Sequence, residues 1–344
     1  MKMRRVPERC CCLLAVCWAC VLPTMAGAQA FVWPTEMVVR AETPWQSYVQ
    51  AAASGKPETG LYGTARNNGD KFHEGLDIRA SRRDRRGEAL DAVCVVAPGT
   101  VAHVVPSPNG PYGRYVVVLH QQGKAVFYTL YAHLASVEPG LRVGQAVQPG
   151  QKLGVLGRSD GGRGFPKERA HLHFEVGLRL SDDFDAWYAR QKDFSTPNRH
   201  GLWNGRNLLG TDPVPFLQAG LAAGNAPDYL AMVLQERTAV TVQVATTVVP
   251  DFLRRYPSLC TTVVPARVAG WRIEFAWHGM PVRWTPLLVA PGGKTGKNSV
   301  TIEVAQDLEL QKKSVARDVL LRQRNGTLVP GKSLQDTLAM LFGW

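Results

Sequence analysis

Short apolar runs, each followed by glycine or another turn residue, dominate the chain from about residue 60 onward. Examples are VCVVAPGTVAHVV, YGRYVVVLH, AVFYTLYAHL, LRVGQAV and QKLGVLG. Runs of this length between turn residues are typical of strands that pair with their neighbours in an antiparallel sheet. We therefore predict a mainly β fold built from short antiparallel strands.

The amino-acid composition changes along the chain and predicts two units. The segment 218–228, QAGLAAGNAPD, consists of small residues and structure breakers, so we predict a linker there. It separates a strand-rich domain over 60–217 from a smaller strand-rich C-terminal domain over 229–344. An N-terminal extension over 31–59 precedes them, and its segment 43–55 predicts a short helix.

Residues 1–30 have the features of a secretory signal peptide. Basic residues precede an apolar run from Cys10 to Leu22, and the small-residue sequence AGAQA follows. The run is shorter than the ~20 residues that span a bilayer, although an uncleaved membrane anchor is the alternative. We expect a secreted protein of the periplasm or cell envelope, with no stable membrane insertion after leader cleavage.

Five of the seven cysteines lie in this leader, which leaves Cys94 and Cys260. A disulfide between these two is compatible with an oxidising compartment. Cys94 lies in the apolar run AVCVVA, however, which favours a buried small hydrophobic residue. The sequence leaves both alternatives open.

The formal net charge is +12, which favours anionic partners in general. Five arginines lie within residues 79–86, in a segment that is interpreted as a solvated loop. Because the arginines form one local cluster without a recognisable binding motif, we do not expect nucleic acid to be a partner.

The stretch RAHLHFEVG, residues 169–177, predicts a strand with two different faces. Side chains two residues apart point to the same side of a strand, so His171, His173 and Glu175 share one face. The apolar residues between them share the other. One face is expected to join the core and the other to form a site, and the alternative is an exposed histidine pair on a sheet.

FHEGLDI contains a histidine and a carboxylate four residues apart, His73 and Asp77. On a single strand these two side chains face the same way. With a histidine from HLHFEV they would supply three ligands of types suited to Zn²⁺, and three protein ligands leave a position open as in catalytic zinc sites. The HxxxD spacing alone is weak support, because most such pairs are coincidence or surface residues.

The order of the motifs is more specific than any one of them. HEGLDI, APGTV, YGRYVVVLH, YAHL, VQPGQKLGVLG and HLHFEV follow one another between about residues 60 and 176. This series resembles the lysostaphin or LytM-type zinc peptidases that act on bacterial cell walls. The resemblance implies an antiparallel LytM-like peptidase domain with a substrate groove. It covers neither the leader and the extension nor the region after Leu217.

The resemblance also implies roles for five residues. His73, Asp77 and His173 would bind one zinc ion. His133 of YAHL and His171 would be unliganded catalytic histidines that accept or pass protons beside a metal-activated water. The sequence does not divide the roles between these two histidines.

Other polar residues near the motifs have structural alternatives. Without the resemblance, His133 would be a hairpin histidine that packs beside Tyr131 on the same strand face. Glu175 would orient a metal ligand or be an ordinary solvated charge. His103 and His120 are interpreted as structural.

We therefore expect a secreted zinc endopeptidase that hydrolyses the stem or cross-bridge peptides of bacterial peptidoglycan. One alternative is a non-catalytic relative that activates a wall amidase, and such a relative is expected to have lost metal ligands. The other alternative is a wall-binding module.

Segment 181–217 is longer than in a minimal family member and would alter which wall peptide fits. Three tryptophans of the C-terminal domain could form a sugar-binding surface, but their spacing favours ordinary core packing: Trp271, Trp277 and Trp284.

Overall fold

The structure is a computed structural model that describes residues 30–66, 71–291 and 300–344. The predicted signal peptide lies outside the described residues apart from Ala30. The strands are β1 (Gly63–Arg66), β2 (Lys71–His73), β3 (Leu76–Arg79), β4 (Ala92–Cys94), β5 (Gly99–Val105), β6 (Tyr115–Gln122), β7 (Ala125–Ala132), β8 (Ser136–Val137), β9 (Ala146–Val147), β10 (Lys152–Val155), β11 (His171–Arg179), β12 (Leu208–Thr211), β13 (Thr238–Val244), β14 (Gly270–Ala276), β15 (Pro281–Leu287), β16 (Val300–Val304), β17 (Leu320–Arg322) and β18 (Leu328–Pro330). The α-helices are α1 (Phe184–Ala189), α2 (Pro213–Ala223), α3 (Tyr229–Leu234), α4 (Asp251–Arg255), α5 (Leu308–Ala316) and α6 (Lys332–Phe342).

A seven-stranded antiparallel sheet forms the centre of the first unit, with the order β12-β11-β7-β6-β5-β9 and with β3 also paired to β11. One edge of β11 pairs with β7. The other edge is shared, because β3 pairs with its first half and β12 with its second half. This arrangement confirms the predicted mainly β, antiparallel fold, and it places β11 next to three other strands.

The two faces of this sheet contact different apolar clusters. Residues of β7 contribute alternately to the two clusters. Phe127 and Tyr131 belong to a large core on one face, and Tyr128 and Leu130 belong to a small cluster on the other. The large core is continuous from the N-terminal extension through the central sheet into the C-terminal part. The polar face of β11 lies on the side of the small cluster, since Glu175 is opposite Leu130 in the register.

The C-terminal part contains a second antiparallel sheet with the order β15-β14-β13-β16 and a hairpin formed by β17 and β18. Trp271 and Trp284 are fully buried in it, with ring centroids 5.7 Å apart in an edge-to-face arrangement. The prediction of core packing is confirmed for these two residues. The preceding connection differs from a simple linker, because residues 218–223 belong to α2.

The N-terminal extension pairs with the sheet instead of forming the predicted helix over 43–55. Only Trp45–Ser47 forms a 3-10 turn. The next residues lie along β3, where Arg79 N–H donates to the Tyr48 carbonyl at 2.9 Å and Gln50 N–H donates to the Asp77 carbonyl at 2.8 Å. The helix prediction is wrong because the backbone groups of this segment find partners on the free edge of β3.

The structure bears on the alternative of a disulfide and on whether a described helix could span a membrane. Cys94 and Cys260 are both free thiols, so the described residues contain no disulfide. Cys94 is half-buried in β4, and burial raises the pKa of its thiol. None of the helices in the described ranges combines the length and the apolar character that a membrane span requires.

Candidate metal centre

Three polar side chains meet where β2, β3 and β11 approach one another. His73 Nε2 lies 2.9 Å from Asp77 Oδ1 and 3.0 Å from His173 Nδ1. Asp77 Oδ1 lies 3.1 Å from His173 Nδ1, and the two residues are directly opposite in the β3–β11 register. All three are buried. The structure therefore brings together the three residues that were predicted as metal ligands.

The chemistry and spacing of these atoms fit a zinc ion. Two imidazole nitrogens and one carboxylate oxygen are ligand types that zinc accepts, at roughly 2.0–2.2 Å from the ion. Tetrahedral ligands at such distances are about 3.3 Å apart, and the three atoms here are separated by 2.9 Å, 3.0 Å and 3.1 Å. A small outward movement of the side chains would admit the ion and leave a fourth position open.

The backbone that brings His73 and Asp77 together is not the single strand predicted for FHEGLDI. β2 ends at His73 and β3 begins at Leu76, with a break between them. Gly75 is needed at the break, because a Cβ atom there would lie 2.4 Å from the Phe174 carbonyl oxygen and 2.9 Å from His173 Nε2. The two side chains converge through this close approach to β11, and not through strand alternation.

Each of the three side chains has a second contact that fixes its orientation. His73 Nδ1 donates to the Leu61 carbonyl at 2.8 Å, which leaves Nε2 available for an ion. Arg66 donates to Asp77 Oδ2, which leaves Oδ1 available. Such outer contacts orient metal ligands in proteins generally. Leu61 and Arg66 lie before the metal-site motifs, so sequence reasoning missed them.

Glu175 provides the second contact of His173, with Oε1 2.9 Å from His173 Nε2. It is only 2% exposed, so the alternative of a solvated charge is wrong. Tyr112 and Tyr128 donate to its two carboxylate oxygens at 2.5 Å and 3.1 Å. These tyrosines satisfy a buried charge that the sequence alone did not show to be buried.

His171 and His133 lie beside the three-residue cluster. His171 Nε2 is 3.4 Å from Asp77 Oδ1, and its Nδ1 donates to the Arg169 carbonyl at 2.6 Å. His133 Nδ1 donates to the Ser159 carbonyl at 2.9 Å, and its ring centroid is 4.9 Å from that of His171. In the neutral rings these bonds leave Nε2 unprotonated, so either group can accept a proton.

The backbone of His133 explains its position. β7 ends at Ala132, and His133 has a φ of 61°, a left-handed conformation that is uncommon for a residue with a side chain. This turn directs the ring toward His171 and not toward the core face that Tyr131 occupies. The hairpin-packing alternative assumed continuous strand alternation, and it is wrong for that reason.

Burial and charge give the site histidines different proton affinities. Burial, reinforced by the neighbouring histidines, lowers the pKa of His133 well below its usual range. Burial also lowers the pKa of His171, although Asp77 opposes this. For His173, burial is outweighed by hydrogen bonds to Asp77 and Glu175, so its pKa rises to about 9. Burial alone would raise the pKa of Asp77, but the adjacent histidines hold it well below its usual range.

Comparison with known proteins agrees with this geometry. Residues 71–184, which are 114 of the 344, match the family described as Peptidase family M23. A search of curated proteins finds no match. The solved structures that are similar have low overall TM-scores.

A Pseudomonas aeruginosa protein described as a peptidase M23 is 27% identical, with 30% of this chain and 37% of that chain covered and a TM-score of 0.23. A zinc containing peptidase from Vibrio cholerae is 26% identical, with coverages of 38% and 33% and a TM-score of 0.25. The catalytic domain of lysostaphin from Staphylococcus simulans is 20% identical, with coverages of 51% and 95% and a TM-score of 0.30. The chain thus spans little more than a third of the first of these relatives.

The family match begins at β2 and ends within α1, so it contains His73, Asp77, His133, His171 and His173. It leaves out the extension, Arg66 and the whole C-terminal part. Residues 71–184 therefore match the peptidase family M23, and the motifs of this segment resemble those of the lysostaphin and LytM-type enzymes.

Proposed function

We propose that the protein is a zinc-dependent endopeptidase that hydrolyses peptide cross-links of bacterial peptidoglycan. The observation that carries the proposal is the convergence of His73, Asp77 and His173, with His133 and His171 beside them. Five imidazole and carboxylate groups from four separate segments would have no structural reason to share one buried position. They do have a chemical reason if they bind a metal ion and move protons.

The contacts of the five residues suggest a role for each of them. His73, Asp77 and His173 would hold the ion, which supplies Lewis acidity and lowers the pKa of a bound water to ~7. His133 and His171 are neutral near pH 7 because burial lowers the pKa of each. Their unprotonated Nε2 atoms can accept a proton, and the resulting imidazolium can donate it to the leaving amine. An imidazolium can also stabilise charge that develops on the carbonyl oxygen.

The compartment and the substrate are part of the same proposal. The leader-like sequence of residues 1–30 supports secretion to the periplasm or cell envelope, where peptidoglycan lies. The M23 match supports peptides as substrates, and stem or cross-bridge peptides are the proposed class. Nucleic acid is not a proposed partner.

The test is digestion of purified peptidoglycan by the zinc-loaded protein, with mass analysis of released fragments in the presence and absence of a chelator. We expect peptide fragments that disappear with the chelator and with His73→Ala. His103→Gln is the matched control, because His103 is a half-buried histidine of the same sheet without a contact to the cluster. It should release the same fragments as the natural protein.

The same preparations distinguish the alternative function. If the zinc-loaded protein releases no fragments, but both it and His73→Ala stimulate a wall amidase equally, the protein is an activator and the endopeptidase proposal fails. Binding to peptidoglycan without hydrolysis or stimulation would indicate a wall-binding module and would also overturn it.

A further inference from the structure

A groove with a volume of about 810 Å³ lies between the peptidase domain and the C-terminal part. Its lining includes segment 181–217 on one side, and the residues after α5 and the start of α6 on the other. Glu74, which follows His73, and Tyr112 line it as well. Because the Tyr112 ring centroid is 5.7 Å from that of His173, the groove reaches the edge of the metal centre.

Arg317 is a cation of this groove whose Nε is buried without a hydrogen-bond partner among the described residues. Its side chain makes no hydrogen bond or ion pair with any part of the chain that the structure describes, and its Nε is buried. The guanidinium lies over the Phe72 ring, 4.1 Å from the ring centroid, and Phe72 directly precedes His73. On the same side of the groove, Lys332 is already paired with Asp336. A buried donor without an acceptor costs free energy, so an acceptor from a ligand would be favoured there.

Building on the proposed function, we propose that this groove binds the part of the wall peptide beyond the scissile bond, and that Arg317 binds a carboxylate of that part. A guanidinium can bind a carboxylate through two parallel hydrogen bonds, which makes it selective for this group. The C-terminal domain would then supply a specificity residue of the substrate site.

The dimensions of the groove agree with a peptide of a few residues. Ligand sites in proteins commonly have volumes of about 300–1,000 Å³, and the groove falls within this range. An extended peptide advances about 3.3 Å per residue. A peptide that extends from the metal centre past Tyr112 would lie along this groove, which Arg317 also lines.

The experiment measures binding of two soluble stem peptides, one with a free glutamate carboxylate and one with the carboxamide in its place. The zinc-loaded His171→Ala protein is used as the background, because it lacks a proposed catalytic histidine and should bind the peptides without cleaving them. In this background Arg317→Gln should weaken binding of the carboxylate peptide about tenfold, the scale of a hydrogen bond to a charged group. Binding of the carboxamide peptide should change less than twofold.

Three controls make the result decisive. Arg324→Ala removes an exposed arginine of the same domain outside the groove, and it should leave both affinities unchanged. Arg317→Lys keeps a positive charge and should recover part of the lost affinity. Zinc content and the midpoint of thermal unfolding show whether a variant is intact.

An equal loss for both peptides, or no loss for the carboxylate peptide in an intact Arg317→Gln protein, would overturn the inference. Failure of the endopeptidase proposal would have a different signature. In that case the natural protein would not cut peptidoglycan, while selective carboxylate binding could still be present.

Discussion

The two faces of β11 are both buried, but they are stabilised in different ways. The polar face consists of His171, His173 and Glu175, and the apolar face consists of Leu172, Phe174 and Val176. The apolar side chains are 0% exposed and need only close packing against the large core. The polar side chains are at most 8% exposed, and each has a specific hydrogen-bond partner. An unpaired buried polar group costs about 1–3 kcal/mol, so the polar face is stable only as a connected network.

The comparison implies that the faces can be changed separately. Substitutions on the polar face should alter metal binding and hydrolysis, whereas substitutions on the apolar face should alter the free energy of unfolding. The side chains of neighbouring residues in one strand would then have almost independent effects.

The largest effect is expected for His173→Ala on the polar face. The change removes one proposed metal ligand and the partner of Asp77 and Glu175. We expect the zinc content to fall to background, and the hydrolysis of peptidoglycan to fall at least about a thousandfold, because metal catalysis contributes several kcal/mol. Metal analysis and fragment release measure the two effects. Retention of stoichiometric zinc would show that His173 is not a ligand.

On the apolar face, Phe174→Ala should destabilise the fold by about 3–5 kcal/mol, since it leaves a cavity in the large core. Denaturant unfolding measures this loss. Well below the new unfolding transition, the variant should still bind one zinc ion. If the folded variant loses zinc as His173→Ala does, the two faces are not independent.

Glu175→Gln tests the polar face by a smaller change, because it preserves the shape of the side chain but replaces the carboxylate beside His173 Nε2. Loss of an outer partner of a metal ligand typically costs 10–100-fold in metal affinity, and we expect a loss in that range. Chelator competition measures it. Tyr128→Phe is the milder control, because Tyr112 still donates to the Glu175 carboxylate. An unchanged affinity in Glu175→Gln would mean that the carboxylate only fills space.

The smallest effect concerns His120, a histidine of the same sheet away from the metal centre. It is buried, with hydrogen bonds to Pro98 and Thr129, and burial lowers its pKa to about 4. The unfolded chain, with an ordinary histidine pKa of ~6.5, binds a proton that the folded protein does not bind between these values. Its contribution to stability is therefore present above pH 6.5 and is lost as the pH falls toward 4, by up to about 1.4 kcal/mol per pH unit.

Unfolding by denaturant at pH 7, 6 and 5 measures this slope, and His120→Gln should make it shallower even if the variant is less stable at every pH. A slope that is unchanged in His120→Gln would assign the acid sensitivity to other groups. His133 is also predicted to be neutral, but it lies at the metal centre, so His120 isolates the effect of burial alone.

Much of the fold and the candidate site could be predicted from local pattern. Strand periodicity predicted β11 and its two faces, because residues two apart share a side whatever the tertiary structure is. The resemblance of the motif series to the LytM-type peptidases implied that His73, Asp77 and His173 would converge on one ion, which the spacing of the residues alone does not predict. The roles of these residues and the domain limits are still predictions.

What could not be predicted depends on contacts between distant segments. The left-handed backbone of His133 and the break between β2 and β3 at Gly75 depend on tertiary contacts. A strand pattern with a period of two residues predicts neither of them. Arg66 and Tyr128 resemble any surface arginine or strand tyrosine in the sequence. The predicted helix over 43–55 failed for the same reason, because local propensity was overridden by the edge of β3.

The outer edge of β3 affects how the protein can be shortened. Residues 48–50 of the extension cover the outer side of β3, the strand that carries Asp77. A shortened protein that began at the family limit, residue 71, would leave this row of N–H and C=O groups open to pairing with another molecule. Loss of the extension should therefore cause self-association, and activity lost in such a preparation would reflect aggregation before it reflected any defect in chemistry.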